Sequence, residues 1–195
     1  HIENKDQNVG RPGKVVKLND TSRLVMAVDL EPERLRLAIS GLNLNIVGYS
    51  EFSLDRFTVS NEIIRKIKIE ATNLLLANSD WQDRLIGIGV SLPGFIDTEK
   101  GIALSSTNMP HWKDVPIQTS LTEVFNKPVR IGRSMHLVAL TEKWRRPEIR
   151  DKNVLFIVLR TGVGMSLLIK GELYHGANFL DGEIGHTVVN PGGKT

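Results

Sequence analysis

The 195-residue chain contains no cysteine. That excludes a disulfide framework, a thiol nucleophile and a cysteine-ligated zinc site built from these residues, and it favours an intracellular protein. Long apolar runs are missing as well. Stretches such as Leu85 to Val90 are far shorter than the ~20 residues a membrane-spanning helix needs. His1-Ile2-Glu3-Asn4-Lys5-Asp6 does not read as a secretory leader, so the expected location is the cytoplasm. Nor is there an excess of one charge: 25 Lys+Arg face 22 Asp+Glu, a formal net charge of +3, which is a weak footprint for nucleic acid. With 41% hydrophobic and 24% charged residues the chain can build a packed core, and disorder, collagen-like repeats and coiled coil are excluded.

Residues 1–19 are polar and contain Gly10-Arg11-Pro12-Gly13-Lys14, which reads as a linker. From Leu24 the pattern changes. Leu24 to Val28 is an apolar strand run, Leu35, Leu37 and Ile39 recur at period two, and Leu44 to Tyr49 follows a turn at Gly41. Three strands this close predict an antiparallel meander. Ile63, Ile64, Ile67, Ala71, Leu74 and Leu75 then recur at helical spacing, with Ser60 as the expected cap. Leu85 to Val90 predicts a central parallel strand after a crossover helix. A loop is expected from Ser91 to Trp112, then a short helix over 119–125, a strand over 128–131 and a helix over 134–144. Val154 to Leu159 reads as a buried strand and Met165 to Ile169 as another, turning at Lys170-Gly171-Glu172.

Some residues carry chemistry. Thr161-Gly162-Val163-Gly164 sits between two strands, where glycines allow backbone N–H groups to approach a phosphate or simply permit a tight turn. It lacks the Lys-Ser/Thr of a P-loop and the helix of a dinucleotide fingerprint. Glu183 and His186 fall on one face of a helical turn; they could bind a sugar hydroxyl or contribute one metal ligand, or simply mark a helix end. Asp29 ends the first strand and Asp97 follows Pro93-Gly94, so that both acids would face a cleft at strand ends or be turn acids in solvent. His111, His136 and His175 are isolated and read as structural.

Four segments, in order, resemble the ROK family (repressors, open reading frames and sugar kinases). They are Val28-Asp29, then Gly89-Val90-Ser91-Leu92-Pro93-Gly94-Phe95-Ile96-Asp97, Asn108-Met109-Pro110-His111-Trp112 through Pro116, and Gly182-Glu183-Ile184-Gly185-His186. The resemblance implies an α/β actin-like ATPase (ribonuclease H-like) fold of two lobes. Residues 1–19 would be a linker remnant, 20–131 the N-terminal lobe and 132–195 the start of an incomplete second lobe.

The departures from the kinases are informative. Kinases of the family share an Asp-x-Gly-x-Thr phosphate turn, but here Asp29 precedes Leu30-Glu31-Pro32-Glu33, where a glutamate repels phosphate and a proline lacks a donor. Their Asn-Asp pair, whose aspartate is the base, corresponds to Arg133-Ser134, and a serine has no basicity near neutral pH. Their second Gly-Thr-Gly turn is Arg160-Thr161-Gly162. Asp29, Thr161 and Gly162 would be remnants of the phosphate loops.

The resemblance therefore implies no enzyme activity, and instead the sugar-sensing domain of a transcriptional regulator similar to the NagC/Mlc repressors. Such a protein reads DNA through a helix-turn-helix that these residues do not include, and it forms homo-oligomers. Gly94, Asn108, Arg133, Glu183 and His186 would contact an effector sugar or sugar phosphate. Arg133 would either add a cation for a phosphorylated ligand or fill the site with a salt bridge. His186 is also a zinc-ligand position in the family, its partners being cysteines expected beyond this chain. One histidine cannot complete tetrahedral zinc, so no cofactor is expected here and zinc is left to a longer protein. The alternatives are an active sugar kinase using ATP and Mg²⁺, and an interaction domain with no small ligand.

Overall fold

The computed structural model describes residues 19–159, 162–176 and 180–192. The expected linker lies almost wholly outside the described residues, as does Thr161.

The chain opens as a meander: β1 (Leu24–Glu31), β2 (Arg34–Gly41) and β3 (Ile46–Ser53). Alternation decides which face is inside. Leu24, Met26, Val28 and Leu30 of β1 and Leu35, Leu37 and Ile39 of β2 are buried, each contributing about 1.5–3 kcal/mol of burial free energy. Helix α1 (Ser60–Leu76) lays its apolar stripe, Ile63, Ile64, Ile67, Ala71, Leu74 and Leu75, on this core. Its N-cap is Val59 rather than the expected Ser60, with no side-chain capping bond. A single helical turn, α2 (Trp81–Arg84), leads into β4 (Leu85–Leu92). β8 (Val129–Arg133) completes a sheet of order β3-β2-β1-β4-β8, in which β1, β4 and β8 are parallel. The C-terminal ends of three parallel strands thus share one edge, where ligands bind in open α/β sheets.

The segment expected to be a loop is instead a small antiparallel sheet of β5 (Phe95–Asp97), β6 (Ile102–Ser105) and β7 (Lys113–Val115). Its Ile96, Ala103 and Val115 join the main core with Met109 and Trp112. Strands this short carry too little alternation to show in sequence. Helix α3 (Ile117–Phe125) begins two residues before the expected start and leads to β8, which runs past the expected lobe boundary into α4 (Ser134–Arg145).

A second antiparallel sheet follows, of order β11-β10-β9: β9 (Val154–Leu159), β10 (Val163–Ile169) and β11 (Glu172–Leu173). The expectation that 154–159 is a buried strand is corrected. Leu155, Ile157 and Leu159 are half to three-quarters exposed, because no described residue covers that face, whereas Val154, Phe156 and Val158 on the other face are half-buried. Among the described residues no helix is long and apolar enough to cross a membrane.

Candidate functional site

Asp29, near the end of β1, pairs in parallel register with Ser91 of β4, and Leu92 of β4 with Arg133 of β8. The expected first phosphate position at Asp29, the expected base position at Ser134 and Arg133 before it therefore stand at one edge of the sheet. Their chemical state is what matters.

Asp29 is opposite Arg36 in the β1–β2 hairpin, and the guanidinium bonds it at 2.5 Å while reaching Glu31 at 2.7 Å. Burial works against the charge on Arg36, but the two carboxylates more than offset it and hold its pKa above the ordinary value. Sequence reading missed this clamp. At the end of β8, Ser134 donates its hydroxyl to the Leu92 carbonyl at 3.0 Å and lies 3.0 Å from Ser91 Oγ. Gly162, the described part of the expected second phosphate turn, is exposed.

Gly94 reaches its position through backbone geometry. Its φ is +77°, and a Cβ there would lie 2.1 Å from the Ser105 carbonyl oxygen. Only glycine fits without moving β6. Ser106, against which Gly94 packs, accepts the Met109 N–H at 3.1 Å, which closes the turn that carries exposed Asn108. We expect Gly94→Ala to lower stability by roughly 2–3 kcal/mol, combining a strained positive φ with steric overlap. Urea unfolding followed by circular dichroism measures it, and a loss below about 0.5 kcal/mol, ordinary for surface positions, would contradict the geometry.

Arg133 is buried, and its guanidinium donates to Glu183 at 2.8 Å and to the Asp181 carbonyl at 2.6 Å, over the Phe95 ring at 5.4 Å. Of the two roles open for it in sequence, the salt bridge is the one observed. Glu183 precedes a 3₁₀ turn, Ile184–His186, that brings His186 Nε2 to 3.6 Å from its carboxylate. His186 is exposed. The glycines around it have a packing reason: a Cβ on Gly182, at φ +87°, would lie 2.2 Å from the Met165 carbonyl oxygen of β10. The donor set at His186 does not fit a structural zinc: the chain has no cysteine, and Glu183 is engaged by Arg133.

Two further expectations need correction. Asp97, read as facing a cleft or solvent, is buried, and its carboxylate accepts the N–H groups of Glu99 and Lys100 at 3.1 and 2.9 Å. The Lys100 N–H does most to hold its pKa below the ordinary value, against the opposing effect of burial. His136 and His175 are not isolated. Their rings meet edge to face at 5.0 Å, and His136 Nε2 donates to Asp181 Oδ2 at 2.6 Å. Burial pushes the His136 pKa down, further than Asp181 pulls it up. Burial also pushes Asp181 upward, but the bonds from His136 and the Gly176 N–H and the nearby cations outweigh it and leave it below the ordinary value.

A mixed five-stranded sheet whose three parallel strands end on one edge, followed by two small antiparallel sheets, defines an α/β protein among the described residues. The ROK family model matches residues 25–195, and the chain belongs to the ROK family. Its fold is the α/β actin-like ATPase fold. It is 39% identical to a glucokinase of Halalkalibacterium halodurans over 109 residues, 56% of this chain and 33% of that protein. It is 31% identical to the xylose repressor of Bacillus subtilis over 155 residues, 78% of this chain and 40% of that protein. A solved ROK family transcriptional regulator, a homologue of the Escherichia coli Mlc protein, superposes with a TM-score of 0.79 at 22% identity, covering 90% of this chain and 44% of that one. The chain thus spans a third to under half the length of these relatives.

Proposed function

We propose that this chain is the sugar-sensing portion of a ROK-type transcriptional regulator whose phosphoryl-transfer apparatus is degenerate. The observation that carries this reading is the state of the catalytic edge. Asp29 is clamped by Arg36 together with Glu31. The position of the sugar-activating base holds Ser134, whose proton is given to the Leu92 carbonyl. An alcohol tied to a carbonyl does not take a proton from a sugar at neutral pH. A glutamate paired in the first phosphate turn does not welcome a triphosphate.

In this reading Gly94, Asn108, Glu183 and His186 line the effector site, and a bound sugar or sugar phosphate shifts the balance between lobe arrangements. Similarity to xylose repressors makes xylose the first sugar to test. DNA contact would pass through a helix-turn-helix outside these residues. The whole protein would work as a homo-oligomer in the cytoplasm, with zinc only where the cysteines of a longer chain complete the His186 set.

The second reading, an ATP-dependent sugar kinase, is favoured by the 39% identity to a glucokinase. A coupled assay of ADP release with Mg²⁺-ATP separates the two over xylose, glucose, mannose and their N-acetylamino analogues. We expect no turnover above the rate without sugar, together with a rise in melting temperature for at least one sugar. Turnover abolished by Asp29→Ala would establish the kinase instead. A folded protein that shifts with no sugar or sugar 6-phosphate would leave only an interaction domain.

A further inference from the structure

We propose that His136, His175 and Asp181 form a binding site for a divalent transition-metal ion of the zinc class, separate from His186. One donor atom from each lies within 4.8 Å of the other two. The three residues come from different segments: the first turn of α4, the chain just after β11, and the approach to Gly182 and Glu183. Such convergence is not produced by helical or strand spacing, because His136 and Asp181 are 45 residues apart.

The donors suit the ion. Two imidazoles and one carboxylate favour zinc, cobalt or nickel over magnesium and calcium, which prefer all-oxygen sets. Three protein ligands with an open fourth position are a common zinc arrangement. The supporting contacts already orient the ligands. Asp181 Oδ1 is held by the Gly176 N–H at 3.2 Å and lies 3.6 Å from Arg133, so that Oδ2 is left facing His136. The side chains of Asp181 and His136 are only 5% and 7% exposed, whereas His175 is at the surface. An ion would thus enter past His175 and meet two fixed ligands behind it.

Charge does not oppose this. Arg133 is the nearest cation, but it faces both Asp181 and Glu183, so this group of three carries an excess negative charge before an ion arrives. Tetrahedral ligation at 2.0–2.2 Å needs donors about 3.3 Å apart. The His136–Asp181 pair would open from 2.6 Å by under about 1 Å, and exposed His175 would swing inward. A bound ion would pin the N-terminus of α4 to the segment that carries Glu183, and so fix one wall of the cleft. This inference does not depend on whether the chain senses or phosphorylates sugars.

The test uses the 195-residue chain, without a polyhistidine tag, after chelator treatment and dialysis. Zn²⁺ and Co²⁺ are titrated calorimetrically, with metal analysis after gel filtration and melting temperature as a second readout. We expect one ion per chain and a higher melting temperature. His175→Ala, at an exposed position and with its fold checked by circular dichroism, should weaken binding more than about 100-fold, beyond the 10–100-fold effect of supporting residues. Asp181→Asn should also weaken it. His111→Ala and His186→Ala should leave it unchanged. Failure to retain an ion overturns the proposal. So does retention that is unaffected by His175→Ala, because the ion would then be bound by other groups.

Discussion

Trp112→Ala is expected to destabilise the protein by about 3–5 kcal/mol, lowering the melting temperature by roughly 6–20 °C for a chain of this size. Trp112 is 1% exposed and is the largest fully buried side chain among the described residues. Its backbone N–H donates to the Met109 carbonyl at 3.0 Å, closing the turn after Asn108. Alanine would leave a cavity in the core cluster that Trp112 shares with Ile96, Met109 and Val115. The indole Nε1 is buried with no partner, and an unmet donor costs about 1–3 kcal/mol. Trp112→Phe removes that donor and keeps a ring, so we expect it to cost less than half as much as Trp112→Ala. Because the same turn carries Asn108, Trp112→Ala should also abolish sugar-induced thermal shifts at temperatures where the protein remains folded. Urea denaturation of both variants provides the check, and an alanine variant within 1 kcal/mol of the parent would refute the packing argument.

The legibility of the chain follows the range of its interactions. β1, β2 and α1 were readable because their apolar residues repeat at the period of their own element, and period is a local property. The ROK resemblance likewise rested on contiguous segments around Gly94, Asn108 and Glu183. Arg36 was missed, yet a signal existed: a hairpin turning at Pro32-Glu33 sets Glu31 opposite Arg34 and so Asp29 opposite Arg36. Following the register past the turn would have found the clamp. The β5 to β7 strands are only 3 or 4 residues long, so alternation had no room to appear. The meeting of His136, His175 and Asp181 had no sequence signal, since it depends on how β10 and β11 fold back beside α4. Val59 in place of Ser60 at the α1 cap shows the limit of capping rules when tertiary burial of Ile63 and Ile67 already fixes the helix.

Arg133→Ala is expected to cost about 3 kcal/mol, the lower end of the range for breaking a buried ion pair. The lower end applies because Glu183 is 34% exposed, while Asp181 and Arg133 are 5% and 8% exposed. Removing the guanidinium leaves two carboxylates without the cation between them, although Asp181 keeps its bonds to His136 and Gly176, and takes a donor from the Asp181 carbonyl. Adding Glu183→Gln removes one of the stranded charges, so the double variant should recover part of the loss, with a coupling of about 1–3 kcal/mol. Additive losses would show that the pair contributes little. The same variants test what Arg133 does for ligands. A guanidinium already committed to Glu183 acts as a structural bridge, so we expect the parent protein to bind a sugar 6-phosphate no more tightly than the sugar itself, and Arg133→Ala to leave that ratio unchanged. Loss of 6-phosphate binding alone, by the roughly 10-fold or more that one charge-assisted hydrogen bond supplies, would instead make Arg133 the phosphate reader of the cleft.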